Sequence, residues 1–291
     1  MRTTPVALLA VPLLVVTVAC APKSSSSSSS PKPSAGASSS SPSCKAADLP
    51  LKTSGKLTVA TDTPAYDPWF AHNDPTNGKG FESAVAYAVA GKLGFDKTQV
   101  SWVKEPFNNS YAPGAKKFDF DINQISITPA RAKVVDFSEG YYSAAQAVVA
   151  LKKKKLQPGA MADLKGLKLG AQTGTTSLTA IRDVIKPSQQ PLVFNNTNTA
   201  KQALLNGQVD AIVTDLPTAF YISAAEIAGS TIVGQFQPTT GQKEEFGLLM
   251  EKGSQLKPCL DQAITSLKDD GTLASIEKQW LSDTVNVPVL K

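Results

Sequence analysis

The chain alternates between short runs of consecutive apolar residues and longer stretches in which apolar positions recur every three or four residues. The first kind predicts strands buried on both faces, the second amphipathic helices. Residues 56–61, 100–103, 120–125 and 147–151 read as strands, and 82–93 as a helix that Gly94 closes. Beyond a run of four lysines the alternation resumes, with strands at 168–172, 192–194, 211–214, 231–233 and 246–250. Helices are expected at 177–185, 199–205 and 217–225, the second stopped by Asn206 and Gly207. Leu256, Leu260, Ala263, Ile264 and Leu267 share one face of a further helix; Asp270 and Gly271 break it, and 273–281 forms a last short one. This order predicts an α/β fold. The roughly 240 residues of the globular part exceed what one core normally organises, so two lobes around a cleft are expected.

The ends add an address. Residues 1–20 read as an export leader: a basic start at Met1-Arg2, then an apolar run too short for a comfortable membrane span. Thr17-Val18-Ala19-Cys20 resembles a bacterial lipobox, with threonine where leucine is usual, so Cys20 is expected to be lipidated as the leader is removed. The alternatives are an ordinary signal peptide cut near Ala19 or Ala21, or an uncleaved anchor. Residues 21–43, rich in serine and proline, bury too little apolar surface to offset chain entropy and are expected to form a disordered tether. The globular part then works outside the cytoplasm, held to the outer face of the cell membrane by lipid alone. Of the three cysteines, Cys44 and Cys259 remain once Cys20 carries lipid, and in an oxidising compartment they are expected to pair. The alternative is two unrelated thiols.

The formal charge of +5 comes from scattered lysines and the run at 152–155, which has no aromatic residues among it. That is a solvated loop rather than a nucleic-acid surface. Arginine, by contrast, occurs only at positions 2, 131 and 182. Arg131 follows Ser126 and Thr128 on a turn after a strand, where its forked guanidinium suits a carboxylate. Ser126 and Thr128 can complete a polar cage or simply cap the turn. Thr175 and Thr176 stand between a strand and a helix, where free amides attract an anion. Asp215 ends a strand, where it can meet an ammonium group or cap the helix that Pro217 begins. One histidine, His72, and no cysteine–histidine or metal-ligand cluster argue against a metal, a cofactor and an enzyme.

Six blocks carry a resemblance: residues 55–62 with Tyr66-Asp67-Pro68; 78–82; 126–131 with 135–138 and Tyr141-Tyr142; 164–166 with Gly170 and 174–176; 207–211 with Thr214-Asp215; and 270–272 with Trp280. In order and spacing the chain resembles the family 3 solute-binding proteins, the amino-acid receptors of ABC importers. The resemblance implies a two-lobed periplasmic-binding-protein-like fold with a hinge and an interlobe ligand cleft. It implies lobe 1 at 44–147 and 241–291 and lobe 2 at 148–240. It further implies a monomer that binds a polar, even cationic, free amino acid and delivers it to an importer permease. By the same resemblance Arg131 and Thr176 take the ligand carboxylate and Asp215 its ammonium, with Ser126, Thr128 and Thr175 beside them. Asp62, Tyr66, Phe107 and Gln124 are candidates for its side chain. The segment around Phe107 is shorter than the family pattern, and Asn123-Gln124 stands where small residues are common. The alternative is an exported dehydratase on the same fold, with Glu82 as general acid.

Overall fold

The apolar runs pair into two five-stranded sheets in the computed structural model, which describes residues 43–156, 159–237, 243–281 and 287–290. In chain order the strands are β1 (Leu57–Thr61), β2 (Val100–Lys104), β3 (Phe120–Asp121), β4 (Val135–Ala144), β5 (Gln146–Leu151), β6 (Leu169–Gln172), β7 (Leu192–Phe194), β8 (Ala211–Asp215), β9 (Ser230–Phe236) and β10 (Glu244–Glu251). The first sheet has the order β2-β1-β3-β10-β4 and the second β7-β6-β8-β5-β9. In the first, β1 lies parallel to β2 and β3, and β10 is antiparallel to β3 and β4. In the second, β6 lies parallel to β7 and β8, and β5 is antiparallel to β8 and β9. Each sheet is the centre of one lobe.

β5 shows why continuous apolar runs appear in the sequence. Its alternate residues Ala147, Val149 and Leu151 enter one core, and Val148 and Ala150 enter another on the opposite face. The helices cover these faces: α1 (Phe81–Lys92), α2 (Phe107–Ser110), α3 (Pro129–Ala132), α4 (Thr176–Ala180), α5 (Thr197–Leu205), α6 (Leu216–Tyr221), α7 (Lys257–Asp269) and α8 (Thr272–Trp280). α1, α7 and α8 pack together around Val85, Val89, Leu260, Ile264 and Leu273. The aromatic centre of this lobe is Trp69, Phe81, Tyr142 and Phe246, whose rings meet edge to face or tilted at 5.2–5.9 Å between centroids.

The chain passes from the first sheet to the second through the single residue Ala145, and returns between Phe236 and Glu244. It then crosses again. Leu281 is buried in the first lobe's core, whereas Val289 pairs with Gln235 of β9 and Leu290 is buried in the second lobe. The tail expected in lobe 1 as part of 241–291 therefore has its last described residues in lobe 2. At the edge of β9 the Gln235 amide donates to the Pro288 carbonyl at 2.8 Å and the Gln235 carbonyl accepts from the Leu290 amide at 2.9 Å, and Leu290 fills the space over Gly234.

Two strands depart from the sequence pattern. The strand expected at 120–125 stops at Asp121, because Gln124 takes a left-handed backbone conformation with φ of 47°. The ten-residue β4 lies where the sequence pattern assigns no element, since Ser138-Glu139-Gly140 interrupts the apolar run. Cys44 and Cys259 are joined in this structure, with Cα atoms 5.3 Å apart, which fastens the start of the described chain to α7. The expected leader, Cys20 and the tether up to residue 42 lie outside the described residues. Among the described residues no helix is long and apolar enough to cross a membrane.

Gly80 positions the loop that carries Trp69. Its φ is 93°, and a Cβ there would stand 2.5 Å from the Trp69 carbonyl oxygen and 2.7 Å from the Ala71 nitrogen. Neither backbone atom can swing away. Gly80→Ala is expected to destabilise the protein by about 3 kcal/mol, from positive-φ strain and overpacking together. Urea unfolding checks this, and a midpoint equal to that of the wild-type protein would show that the loop yields.

Candidate functional site

Strand ends and helix starts converge where the two lobes face each other. They enclose a narrow cavity lined by Asp62, Tyr66, Phe107, Asn123 and Gln124 from the first lobe. The second lobe contributes Gln172, Thr175, Thr176, Ser177, Thr197 and Asp215, among others. Seven residues expected from the sequence are thus brought together: Asp62, Tyr66, Phe107, Gln124, Thr175, Thr176 and Asp215.

Asp215 stands at the N-cap position of α6 but makes no side-chain capping bond. Its Oδ1 instead accepts from Gln146 Nε2 at 2.7 Å. Burial raises its pKa well above the usual carboxylate range and the Glu244 charge adds to this, against the opposing pull of Gln146 and Arg131. Thr175, by contrast, does cap: its Oγ1 accepts from the Leu178 amide at 3.1 Å. Thr128 caps α3, accepting from the Arg131 amide at 3.2 Å, and lines a neighbouring groove rather than the cavity.

Arg131 is placed differently from expectation. It too borders the neighbouring groove, with only 8% of its surface exposed. Its Nη1 donates to the Ser126 carbonyl at 2.8 Å and its Nη2 to the Gly174 carbonyl at 2.9 Å. The guanidinium lies over Tyr111 at 4.6 Å and over Phe107 at 5.4 Å from the ring centres. Arg131 therefore bridges the lobes through backbone oxygens. Ser126 is buried behind the cavity, its Oγ 3.2 Å from Thr176 Oγ1 and hydrogen-bonded to Glu244. Trp69 Nε1 adds another interlobe bond, donating to Thr218 Oγ1 at 2.8 Å.

Glu82 lies under the cavity floor, fully buried at the start of α1. It accepts from the Gln124 amide nitrogen at 2.6 Å, and from Gln124 Nε2 and the Tyr141 hydroxyl. These bonds hold Gln124 in its left-handed conformation. Burial pushes the Glu82 pKa up to about 7, although the hydrogen bonds oppose it. Asp62 is also raised by burial, against hydrogen bonds from the Thr63 and Phe107 amides. Asp121 is fully buried with neither oxygen hydrogen-bonded, and burial plus the charges of Glu82, Glu105 and Asp62 raise it well above the usual range. The sequence reading missed Gln146, Glu244, Gln172, Ser177 and Asp121. Asp121 had a visible signal, a carboxylate inside an apolar run; Gln146 and Glu244 had none, since polar residues at strand starts are ordinary. Among the described residues no cluster of His, Cys, Asp or Glu could hold a metal ion.

Comparison with known proteins bears on this cavity. The family model for bacterial extracellular solute-binding proteins, family 3, matches residues 57–283. The ABC transporter glutamine-binding protein GlnH of Bacillus subtilis (strain 168) is 30% identical over 241 residues, 80% of this chain and 84% of that protein. The L-arginine-binding protein of Pseudomonas aeruginosa is 26% identical over 238 residues, 77% of this chain and 90% of that protein. Among solved structures, an ancestral arginine-binding protein bound to arginine matches with a TM-score of 0.66 and 32% identity, over 78% of this chain and 99% of that one.

The raised pKa of Glu82 sets a measurable sign. From its usual 4.5 up to about 7 the folded protein keeps a proton that the unfolded chain has released. Stability contributed by this proton is present below pH 4.5 and lost as the pH rises to 7, by about 3 kcal/mol in all. Glu82→Gln is expected to remove that fall. Unfolding free energies of the two proteins measured across this range check it, and parallel curves would contradict it.

Proposed function

Because the chain belongs to family 3 of the bacterial extracellular solute-binding proteins, we propose that it captures a free amino acid with a cationic side chain between its lobes and passes it to the permease of an ABC importer. The observation that carries the reading is Asp215: a half-buried carboxylate on the cavity wall, not used as a helix cap, with one oxygen taken by Gln146. An ammonium group is the partner such a carboxylate lacks. On the opposite side, Ser126 and Thr176, whose hydroxyl oxygens stand 3.2 Å apart, and Arg131, which shares the adjoining groove with Thr176, are the groups that would receive the ligand carboxylate. Thr128 supports Arg131 from the cap of its helix. Tyr66, Phe107, Gln124 and Asp62 surround the side-chain end, with Thr175 closing the other wall.

The charge balance supports a cation. Asp62 and Asp215 line the cavity, while Glu82, Asp121 and Glu244 are buried close behind, and Arg131 is the one guanidinium among them. A zwitterion adds no net charge to this group, whereas a cationic amino acid adds one positive charge. The relatives named for arginine agree with that direction. The dehydratase alternative asks Glu82 to deliver a proton to a ligand. Glu82 does not line the cavity, and its oxygens are engaged by Gln124 and Tyr141, which favours a receptor. Opening and closing about Ala145, where the chain passes from one sheet to the other, would admit and trap the ligand. This division gives lobe 1 as 44–144 and 244–281, and lobe 2 as 146–236 with 287–290.

A thermal-shift screen of the standard amino acids and ornithine, followed by calorimetry, tests the reading. Arginine, lysine or ornithine is expected to bind most tightly, and Asp215→Asn and Arg131→Ala are each expected to weaken that binding at least about tenfold, one lost charged hydrogen bond. Stabilisation by none of the amino acids, or unchanged affinity in Asp215→Asn, overturns it.

The export features belong to the same proposal: Cys20 carries lipid on the outer face of the membrane, and Cys44 is paired with Cys259 in the mature protein. Mass spectrometry of membrane-extracted protein is expected to find acylated Cys20 and a peptide linked through Cys44 and Cys259. An unmodified Cys20, or both other thiols open to alkylation, would contradict it.

A further inference from the structure

Behind the cavity runs a chain of buried side chains that belongs to neither wall alone. Gln146 opens β5 directly after the first crossing, and Glu244 opens β10 directly after the second. One therefore comes from each lobe, and both are buried. Glu244 Oε1 accepts from the Ser126 hydroxyl, and its Oε2 accepts from Gln146 Nε2 at 2.8 Å. Gln146 Nε2 gives its other hydrogen to Asp215 Oδ1 at 2.7 Å, and Gln146 Oε1 accepts from Ser177 Oγ at 2.6 Å.

The arrangement leaves little freedom. A primary amide has two N–H donors, and both point at carboxylates. Turning the amide over would aim its oxygen at the same two carboxylates and lose the Ser177 bond. Charge and geometry therefore fix one orientation. With Oδ1 of Asp215 held by Gln146, Oδ2 is the oxygen left for an ammonium in the cavity. On the other wall the Ser126 hydroxyl is held by Glu244 and faces Thr176. We propose that Glu244 and Gln146 are positioning residues, which tie Ser126 on one wall and Asp215 on the other into a single relay across the hinge. Neither needs to touch the ligand; each sets the direction of a group that does. The proposal rests on the amino-acid-receptor reading above.

The test is calorimetry with whichever standard amino acid or ornithine most stabilises the wild-type protein, backed by circular dichroism and ligand-free melting of every variant. Gln146→Leu is expected to weaken binding at least about tenfold in the wild-type background, and less than about threefold once Asp215→Asn is present, because it acts through Asp215. Glu244→Leu is expected to cost at least about tenfold, while Glu244→Gln, which keeps an acceptor for Gln146 and holds Ser126 through a reversed bond from its own N–H to the serine oxygen, stays within about threefold. If the leucine variants do not fold, Ser177→Ala releases the amide without emptying the core. It is expected to weaken binding about threefold in the wild-type background and not detectably in Asp215→Asn. Equal losses in both backgrounds, unchanged affinity, or a Glu244→Gln protein as weak as Glu244→Leu overturns the relay and leaves the receptor reading standing. A wild-type protein stabilised by none of the amino acids overturns both.

Discussion

Carboxylates that leave water must find hydrogen bonds, a proton or a counter-charge, and this cleft puts five of them under that requirement at once. Asp62, Glu82, Asp121, Asp215 and Glu244 come from both lobes, and the Arg131 guanidinium feels the charges of Asp215 and Glu244. The molecule answers differently at each. Glu244 has two hydrogen bonds, from Ser126 and Gln146. Glu82 has three, from Gln124 and Tyr141, and burial still pushes its pKa up to about 7. Asp215 has one, and Asp121 has none. Polar side chains such as Tyr141, Gln124 and Gln146 are in place because these acids are.

The same constraint explains why Arg131 is where it is. Burial disfavours its charge, and the neighbouring Tyr111, Glu244 and Asp215 favour it. It donates to carbonyl oxygens of Ser126 and Gly174, one on each lobe, and rests on two aromatic faces. A guanidinium can do this and still present further N–H groups, because its donors are many and its plane is rigid. Together with the Trp69–Thr218 and Gln146–Glu244 bonds, it gives the two lobes direct polar contact on several sides of the cavity.

Much of the architecture was legible from periodicity. Continuous apolar runs such as 147–151 fit strands covered on both faces, and the one-sided stripe from Leu256 to Leu267 fits a surface helix. What escaped was set by tertiary context. The ten-residue β4 looks broken in sequence because one edge is exposed at Glu139 while its neighbours are buried. The strand at 120 ends early because Glu82, forty-two positions away, holds the Gln124 amide in a left-handed turn. In the cleft, residues quoted from motif blocks such as Thr176 and Asp215 do reach the cavity. The scarcity of arginine marked Arg131 as special, but no local pattern could tell that its donors would meet Ser126 and Gly174 oxygens. Gln146 and Glu244 lie ninety-eight residues apart and meet only because both crossings converge.

The tail that ends along β9 has a mechanical result. Leu281 is seated in one lobe and residues 287–290 in the other, so the end of the chain is fastened to both. Six peptide bonds separate Leu281 from Val287, and six cannot span more than roughly 22 Å. Any movement that parts these two seats stays within that covalent reach or strips the tail from β9.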